Sequence, residues 1–124
     1  MRVIIAGSRE FTDFDAFLGF MSVLPLEWDI KEVVSGGARG ADRLGEEWAY
    51  FQQLPVVSFP ADWNRFQRAA GAIRNDQMAK YADGLIAFWD GTSPGTRNMI
   101  VSMYEANKPV HIYYVGHLID NSMR

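Results

Sequence analysis

Five short runs of the chain carry apolar residues at consecutive positions, and the stretches between them carry apolar residues every three or four positions. The runs are Arg2–Ala6 (RVIIA), Ile30–Ser35 (IKEVVS), Pro55–Phe59 (PVVSF), Gly84–Trp89 (GLIAFW) and Val110–Val115 (VHIYYV). Runs that are apolar on both faces predict strands buried on both sides. Between the first two, Phe14, Phe17, Leu18 and Met21 follow helical spacing, with Thr12 and Asp13 as N-cap candidates and Pro25 as the stop. A second helix is predicted over Ala41–Gln53, with Leu44, Trp48 and Phe51 on one side. A third is predicted over Ala69–Tyr81, carrying Ile73, Met78 and Ala79, and a fourth over Thr96–Asn107, ended by Lys108-Pro109. Asp62–Arg65 reads as a polar loop, and the last nine residues, polar in character, are expected to fray.

Strands alternating with helices predict an α/β fold. It is an open doubly wound parallel sheet of about five strands with helices on both faces. The chain holds no linker, repeat or low-complexity segment, so residues 1–124 are expected to form a single domain. In such sheets, ligands bind outside the carboxyl ends of the strands, near the point where strand order reverses. The loops to inspect therefore start at Gly7, Ser35, Pro60 and Asp90.

Composition narrows the function. The chain is 48% hydrophobic and 22% charged, a globular balance. The absence of cysteine excludes a disulfide scaffold, a thiolate zinc site and a cysteine nucleophile. A formal charge of -3 argues against a general nucleic-acid binder. No apolar run approaches the roughly 20 residues that span a membrane, so a cytoplasmic protein with no membrane partner is expected.

Three of the strand-end loops are built alike: Gly7-Ser8-Arg9, Ser35-Gly36-Gly37-Ala38-Arg39-Gly40, and Gly91-Thr92-Ser93-Pro94-Gly95-Thr96. Glycine lets backbone amides approach an anion, and the helix that follows aims its N-terminus at the same place. Ser8, Ser35, Thr92, Ser93 and Thr96 can donate hydrogen bonds, and Arg9 and Arg39 can neutralise phosphate charge. Together they predict a phosphate-bearing ligand, although each loop alone also suits a plain tight turn. Gly40 is followed by Ala41-Asp42 and not by lysine and a hydroxyl, so a Walker loop is excluded. Gly7 stands alone, so the dinucleotide fingerprint is missing too.

Other residues join the candidate site. Asp42 opens a helix, where it pairs with the dipole or with Arg39 or Arg43, or else orients an arginine that faces the ligand. Trp63 can stack on a base and Asp62 can read a polar edge or ribose hydroxyl; a tryptophan packed under its loop is the alternative. Gly71, Arg74, Asn75 and Met78 share one helix face, from which Arg74 and Asn75 can reach a phosphate or ribose. His111 and His117 have no partner at metal-ligand spacing and are read as structural, with no metal and no cofactor expected. There is no H-E-x-x-H, no G-x-S-x-G and no triad.

Taken in order, GSREFTD, VVSGGARGAD, FPADW, AGAIRNDQMAKYADGLIAFWDGTSPGT and K-P-V resemble the SLOG superfamily, and within it the small YpsA-related branch common in bacteria and phages. The likeness runs from Arg2 to about Val115. It implies a Rossmann-like fold that binds nucleotides or molecules derived from them. Relatives include DNA-processing proteins, nucleotide-signal sensors and the Lonely Guy phosphoribohydrolases, and many are dimers or larger. Lonely Guy enzymes carry P-G-G-x-G-T-x-x-E, whose glutamate works with an arginine on the preceding helix. Gly95-Thr96 and Arg74 match that pattern, but Asn98 and Met99 stand where the glutamate belongs.

Three functions stay open. The first is a non-catalytic sensor or sequestering protein for a nucleotide-like small molecule; a phage-borne member would hold a host signal such as a cyclic ADP-ribose species. The second is an enzyme that cleaves the N-glycosidic bond of a nucleoside monophosphate, with Asp42 or Asp62 replacing the missing carboxylate. The third is single-stranded DNA binding, against which the acidic balance and the lack of a basic, aromatic-studded stripe argue. Trp28, Trp48, Tyr50 and Phe51 exceed what one small core hides, so a homo-oligomer, dimer or tetramer, is expected.

Overall fold

The structure, a computed structural model, describes residues 1–115. His117, read above as structural, lies outside them. Five strands form one sheet: β1 (Arg2–Gly7), β2 (Glu32–Ser35), β3 (Val56–Ser58), β4 (Gly84–Trp89) and β5 (Val110–Tyr114). Their order is β3-β2-β1-β4-β5, and every neighbouring pair is parallel. Five α-helices connect them: α1 (Phe14–Ser22), α2 (Ala41–Phe51), α3 (Trp63–Phe66), α4 (Ala70–Tyr81) and α5 (Pro94–Glu105).

The three inner strands are buried on both faces, because consecutive β1 side chains serve opposite layers. The edge strands, expected to be equally buried, are not: β5 is half-buried and β3 largely exposed, each having a neighbour on one side only. Val3 and Ile5 pack with Val33, Ile86 and Phe88 against Phe17 of α1 and Leu44 and Ala49 of α2. Ile4 and Ala6 pack with Val34, Leu85 and Ala87 against Met78 and Ala79 of α4 and Met99, Ile100 and Met103 of α5. A continuous apolar run is thus the signature of a strand with helices on both sides.

The chain builds outward from β1 to β2 and β3, and α4 then carries it back across to β4 on the other side of β1. Strand order therefore reverses between β1 and β4, whose register pairs Val3 with Gly84 through Gly7 with Phe88. Loops leaving two neighbouring strands diverge there to opposite faces, which opens a crevice.

The observed elements differ from expectation at their ends. β2 begins at Glu32, not Ile30, and β3 is trimmed to Val56–Ser58. The fourth long helix, α5, starts two residues early because Pro94 fits its first turn, where an amide would have no helical partner. The stretch read as a polar loop is the short helix α3, followed by a 3-10 turn over Gln67–Ala69. Asp62 caps α3 by accepting the Arg65 amide at 3.2 Å. Among the described residues, no helix is long and apolar enough to cross a membrane.

Candidate functional site

The β1 loop is held by its backbone. The Ser8 amide donates to the Phe88 carbonyl at 2.8 Å, and the Ser8 carbonyl accepts the amide of Ala41, the first residue of α2. Gly40 allows this approach: its φ is +79°, and a Cβ there would sit 2.3 Å from the Ser8 carbonyl oxygen. The loops after β1 and β2 are thereby locked into one unit at the sheet's carboxyl edge.

The Ser35–Gly40 loop was expected to offer its amides to an anion, but much of that capacity is used internally. The Gly37 amide donates to Ser35 Oγ, the Ala38 amide to Asp42 Oδ2, and the Ala41 amide to Ser8. The Ser35 hydroxyl donates to Glu46 Oε2 at 2.5 Å. The loop before α5 behaves likewise. Asp90 accepts the amides of Thr92 and Ser93 and the Ser93 hydroxyl. These bonds, the Ser93 hydroxyl first, hold the Asp90 carboxyl down at a pKa of about 2. The first backbone bond of α5 runs from Arg97 to Ser93, so the amides of Gly95 and Thr96 stand ahead of it.

Arg74 and Asn75 tie the edge together. Arg74 Nη1 donates to the Gly36 carbonyl at 2.7 Å and Nε to Asn75 Oδ1 at 3.0 Å. Asn75 donates onward to the Gly95 carbonyl and to Asn98 Oδ1. One chain of hydrogen bonds thus spans the loop after β2, α4 and the start of α5. Gly36 makes room for it, since a Cβ there would lie 2.6 Å from Arg74 Nη1. Burial pushes the Arg74 guanidinium below its ordinary value, and Asp42 partly opposes this.

Asp42 is 6% exposed. Burial drives its pKa up to about 6, against the opposing pull of the Ala38 amide and the Arg74 charge. The pairing with Arg39 expected from the sequence does not form; Arg39 reaches across to Glu10 at 3.0 Å, where both side chains are exposed. Asp42 lies close enough to Arg74 for the two charges to act on each other.

Over β1 and β4 these residues enclose a cavity of about 700 Å³. Gly7, Ser8, Arg9, Asp42, Trp63, Arg74, Asn75, Ser93, Gly95 and Thr96, all named from the sequence, line it. A second hollow of about 530 Å³ adjoins it and takes Gly36, Gly37 and Arg39, together with Arg9, Trp63 and Arg74. Ser35, Gly40, Asp62 and Thr92 line neither: Ser35 faces Glu46, Gly40 packs under Ser8, Asp62 caps α3, and the Thr92 amide turns to Asp90. Trp63 is 54% exposed, with its indole lying 3.6 Å from where a Gly71 Cβ would be.

Glu10, Arg68, Asp90 and Asn98 also line the main cavity and were absent from the sequence-derived set. Asp90 directly follows β4, so the strand-end rule could have supplied it. Arg68 sits on the 3-10 turn, which has no apolar periodicity to announce it. Among the described residues, no group of three or more His, Asp or Glu side chains could hold a metal ion. His111 packs edge-on against Trp28 and beside Tyr113, as a structural residue does.

The model of the family described as YAcAr: YspA, cpYpsA-related SLOG family matches residues 1–66, just over half of the chain. The chain belongs to the YspA/cpYpsA-related SLOG family. This SLOG protein is also 36% identical over 120 residues to the Gene 61 protein of Mycobacterium phage D29, across 88% of this chain and 93% of that one. No solved structure matches it. The family match takes in the first two strand-end loops and Trp63, and the likeness to the phage protein extends over most of the chain.

Proposed function

We propose that this SLOG protein binds a nucleotide or nucleotide-derived, phosphate-bearing ligand in the cavity over β1 and β4 and releases it unchanged. The observation that carries this reading is the cavity's composition at the switch point. Arg9, Arg68 and Arg74 converge with the leading amides of α5 on a space of about 700 Å³ floored by Ala6, Met78 and Met99. Cations and helix-end amides suit phosphate, the apolar floor suits a sugar or base face, and the half-exposed Trp63 offers a stacking surface. Family membership supports a nucleotide-related ligand. The phage relative favours a role in which a phage-borne protein holds a host nucleotide signal.

Release without turnover rests on the residue that replaces the Lonely Guy glutamate. Met99 is 1% exposed and packs in the core, and Asn98 is engaged by Asn75. One observation favours a second reading. Asp42 lines the cavity beside Arg74 with a pKa near 6, which suits a general acid or base close to neutral pH. Asp62, the other carboxylate considered, is committed to capping α3.

The test is thermal melting with nucleotides, followed by chromatography of each mixture. A ligand at about a hundredfold excess over its Kd adds about 2.7 kcal/mol of stability. A raised Tm with the nucleotide recovered intact supports binding. Recovery of free base and sugar phosphate, abolished in Asp42→Asn, supports hydrolysis. No shift with any nucleotide refutes both.

A further inference from the structure

The two hollows are not independent. The main cavity lies over the ends of β1 and β4; the second lies over the ends of β2 and β3, against Gly36, Ser58, Pro60 and Ala61. They share four residues: Arg9, Ala38, Trp63 and Arg74. Each volume falls within the range of about 300–1,000 Å³ that encloses a drug-sized ligand, so each has room for a group as large as a nucleoside. The border between them carries two guanidinium groups and the indole.

From this arrangement we infer a ligand with two ring-bearing halves joined through phosphate, the class of dinucleotides, bound with its phosphate bridge on the Arg9–Arg74 border and one half in each hollow. The inference deepens the binding reading above and rests on it. A bridging phosphate at the border meets both cations, Arg9 and Arg74, whereas a terminal phosphate would leave one hollow to water. Arg74 is held in place from both directions, by the Gly36 carbonyl on the side of the second hollow and by Asn75 on the side of the first. A fixed fork recognises a bridge at a defined position. The halves meet different chemistry. The first hollow offers Asp42 and Asn98 to polar edges, with Asn75 bonded to Arg74, Gly95 and Asn98 behind them. The second is walled by Pro60, Ala61 and the open backbone at Gly37, where a Cβ would have no neighbour within 4 Å. This suits a flat ring or a second sugar.

The test compares AMP and ribose 5-phosphate with two bridged probes, 5′,5′-diadenosine diphosphate and cyclic di-AMP, by calorimetry on the full chain. At least one bridged probe is expected to bind tighter than AMP by about tenfold or more. Ala61→Trp, which fills the second hollow, is expected to erase that advantage and leave AMP affinity unchanged. Ser58→Trp serves as a second way to fill it, and circular dichroism with thermal melting identifies whichever variant folds. AMP binding as tightly as both bridged probes overturns the two-lobed site while the binding reading stands. A bridged advantage that survives in a folded filled variant overturns it too. If neither AMP, ribose 5-phosphate nor the bridged probes bind, the two-lobed site is overturned, and the binding reading stands or falls by the nucleotide melting test above.

Discussion

Asp42 shows what it costs to bury a single carboxyl at this edge. Its carboxyl costs more to ionise in the folded protein than in the unfolded chain, so its pKa rises from 3.8 to about 6. A raised carboxyl pKa means the native state binds the extra proton between those values. Its stabilising contribution is then fully present below about pH 4 and lost as pH rises through 6. At about 1.4 kcal/mol per pH unit, the loss is on the order of 3 kcal/mol. Asp42→Asn keeps an oxygen to accept the Ala38 amide and never ionises. The variant is expected to be more stable than the parent at pH 7.5, with the difference vanishing near pH 4, as urea melts across pH would record. Gly40 makes the opposite point. Its φ of +79° and its approach to Ser8 exclude a side chain, so Gly40→Ala is expected to lower stability by more than 1 kcal/mol and Tm by several degrees.

At the scale of elements, the helix ends matter as much as their faces. The C-terminus of α4 is closed by Lys108, whose Nζ donates to the carbonyls of Ala79 at 2.6 Å and Lys80 at 3.1 Å. The lysine sits in the turn between α5 and β5, so this bond also fixes the two neighbouring helices to one another. Lys108→Met keeps the apolar stem and removes the charge. A loss of about 1 kcal/mol is expected, with faster amide exchange confined to the last turn of α4. The start of α5 is organised by Asp90. Its lowered pKa makes its contribution present above about pH 4 and lost as pH falls toward 2. Asp90→Asn should therefore resemble the acidified parent at pH 7, with the Thr92–Ser93 turn loosened. Nuclear magnetic resonance shifts of those two amides would report it.

Across the whole molecule, the two core layers meet through the sheet, with β1 at its centre and β4 beside it. Phe88 is fully buried and packs against Phe11, Phe17, Phe20 and Tyr113, while its carbonyl holds the Ser8 amide. Phe88→Ala empties the layer between the sheet and α1–α2 and is expected to cost about 3–5 kcal/mol, a large share of a typical domain's stability. A urea midpoint that moved by less than a third of that would show that the layer collapses around the gap. Trp28 and Trp48, read from the sequence as surplus aromatics, are partly buried against the α1–α2 core layer. Tyr50 and Phe51 stay exposed, at 78% and 67%. Self-association through α2 remains a proposal that rests on those two side chains; sedimentation of Phe51→Ser against the parent decides it.

Much of this protein was legible in the sequence. Runs such as VIIA and GLIAFW, with no polar side chain, admit few solutions other than strands covered on both faces, and the alternation with amphipathic stretches dictates a parallel doubly wound sheet. Strand-end placement then brought ten of the named residues to one cavity, because that rule depends on topology and not on side-chain detail. What only the tertiary structure decided is how each polar group is used. Ser35 and Ser93 read as phosphate donors but give their hydroxyls to Glu46 and Asp90, acceptors that folding places beside the buried Ser35 and that the turn places three residues from Ser93. Arg39 stays at the exposed rim with Glu10, and Arg74, 38 residues from Gly36 along the chain, becomes the fixed guanidinium. Helix α3 lacks the periodicity that marks the longer helices, and Arg68 reaches the cavity only because the chain coils there. Local pattern determines the elements and their faces; which carboxylate meets which donor depends on distances between segments far apart in the chain, and those exist only once the sheet has closed its two layers.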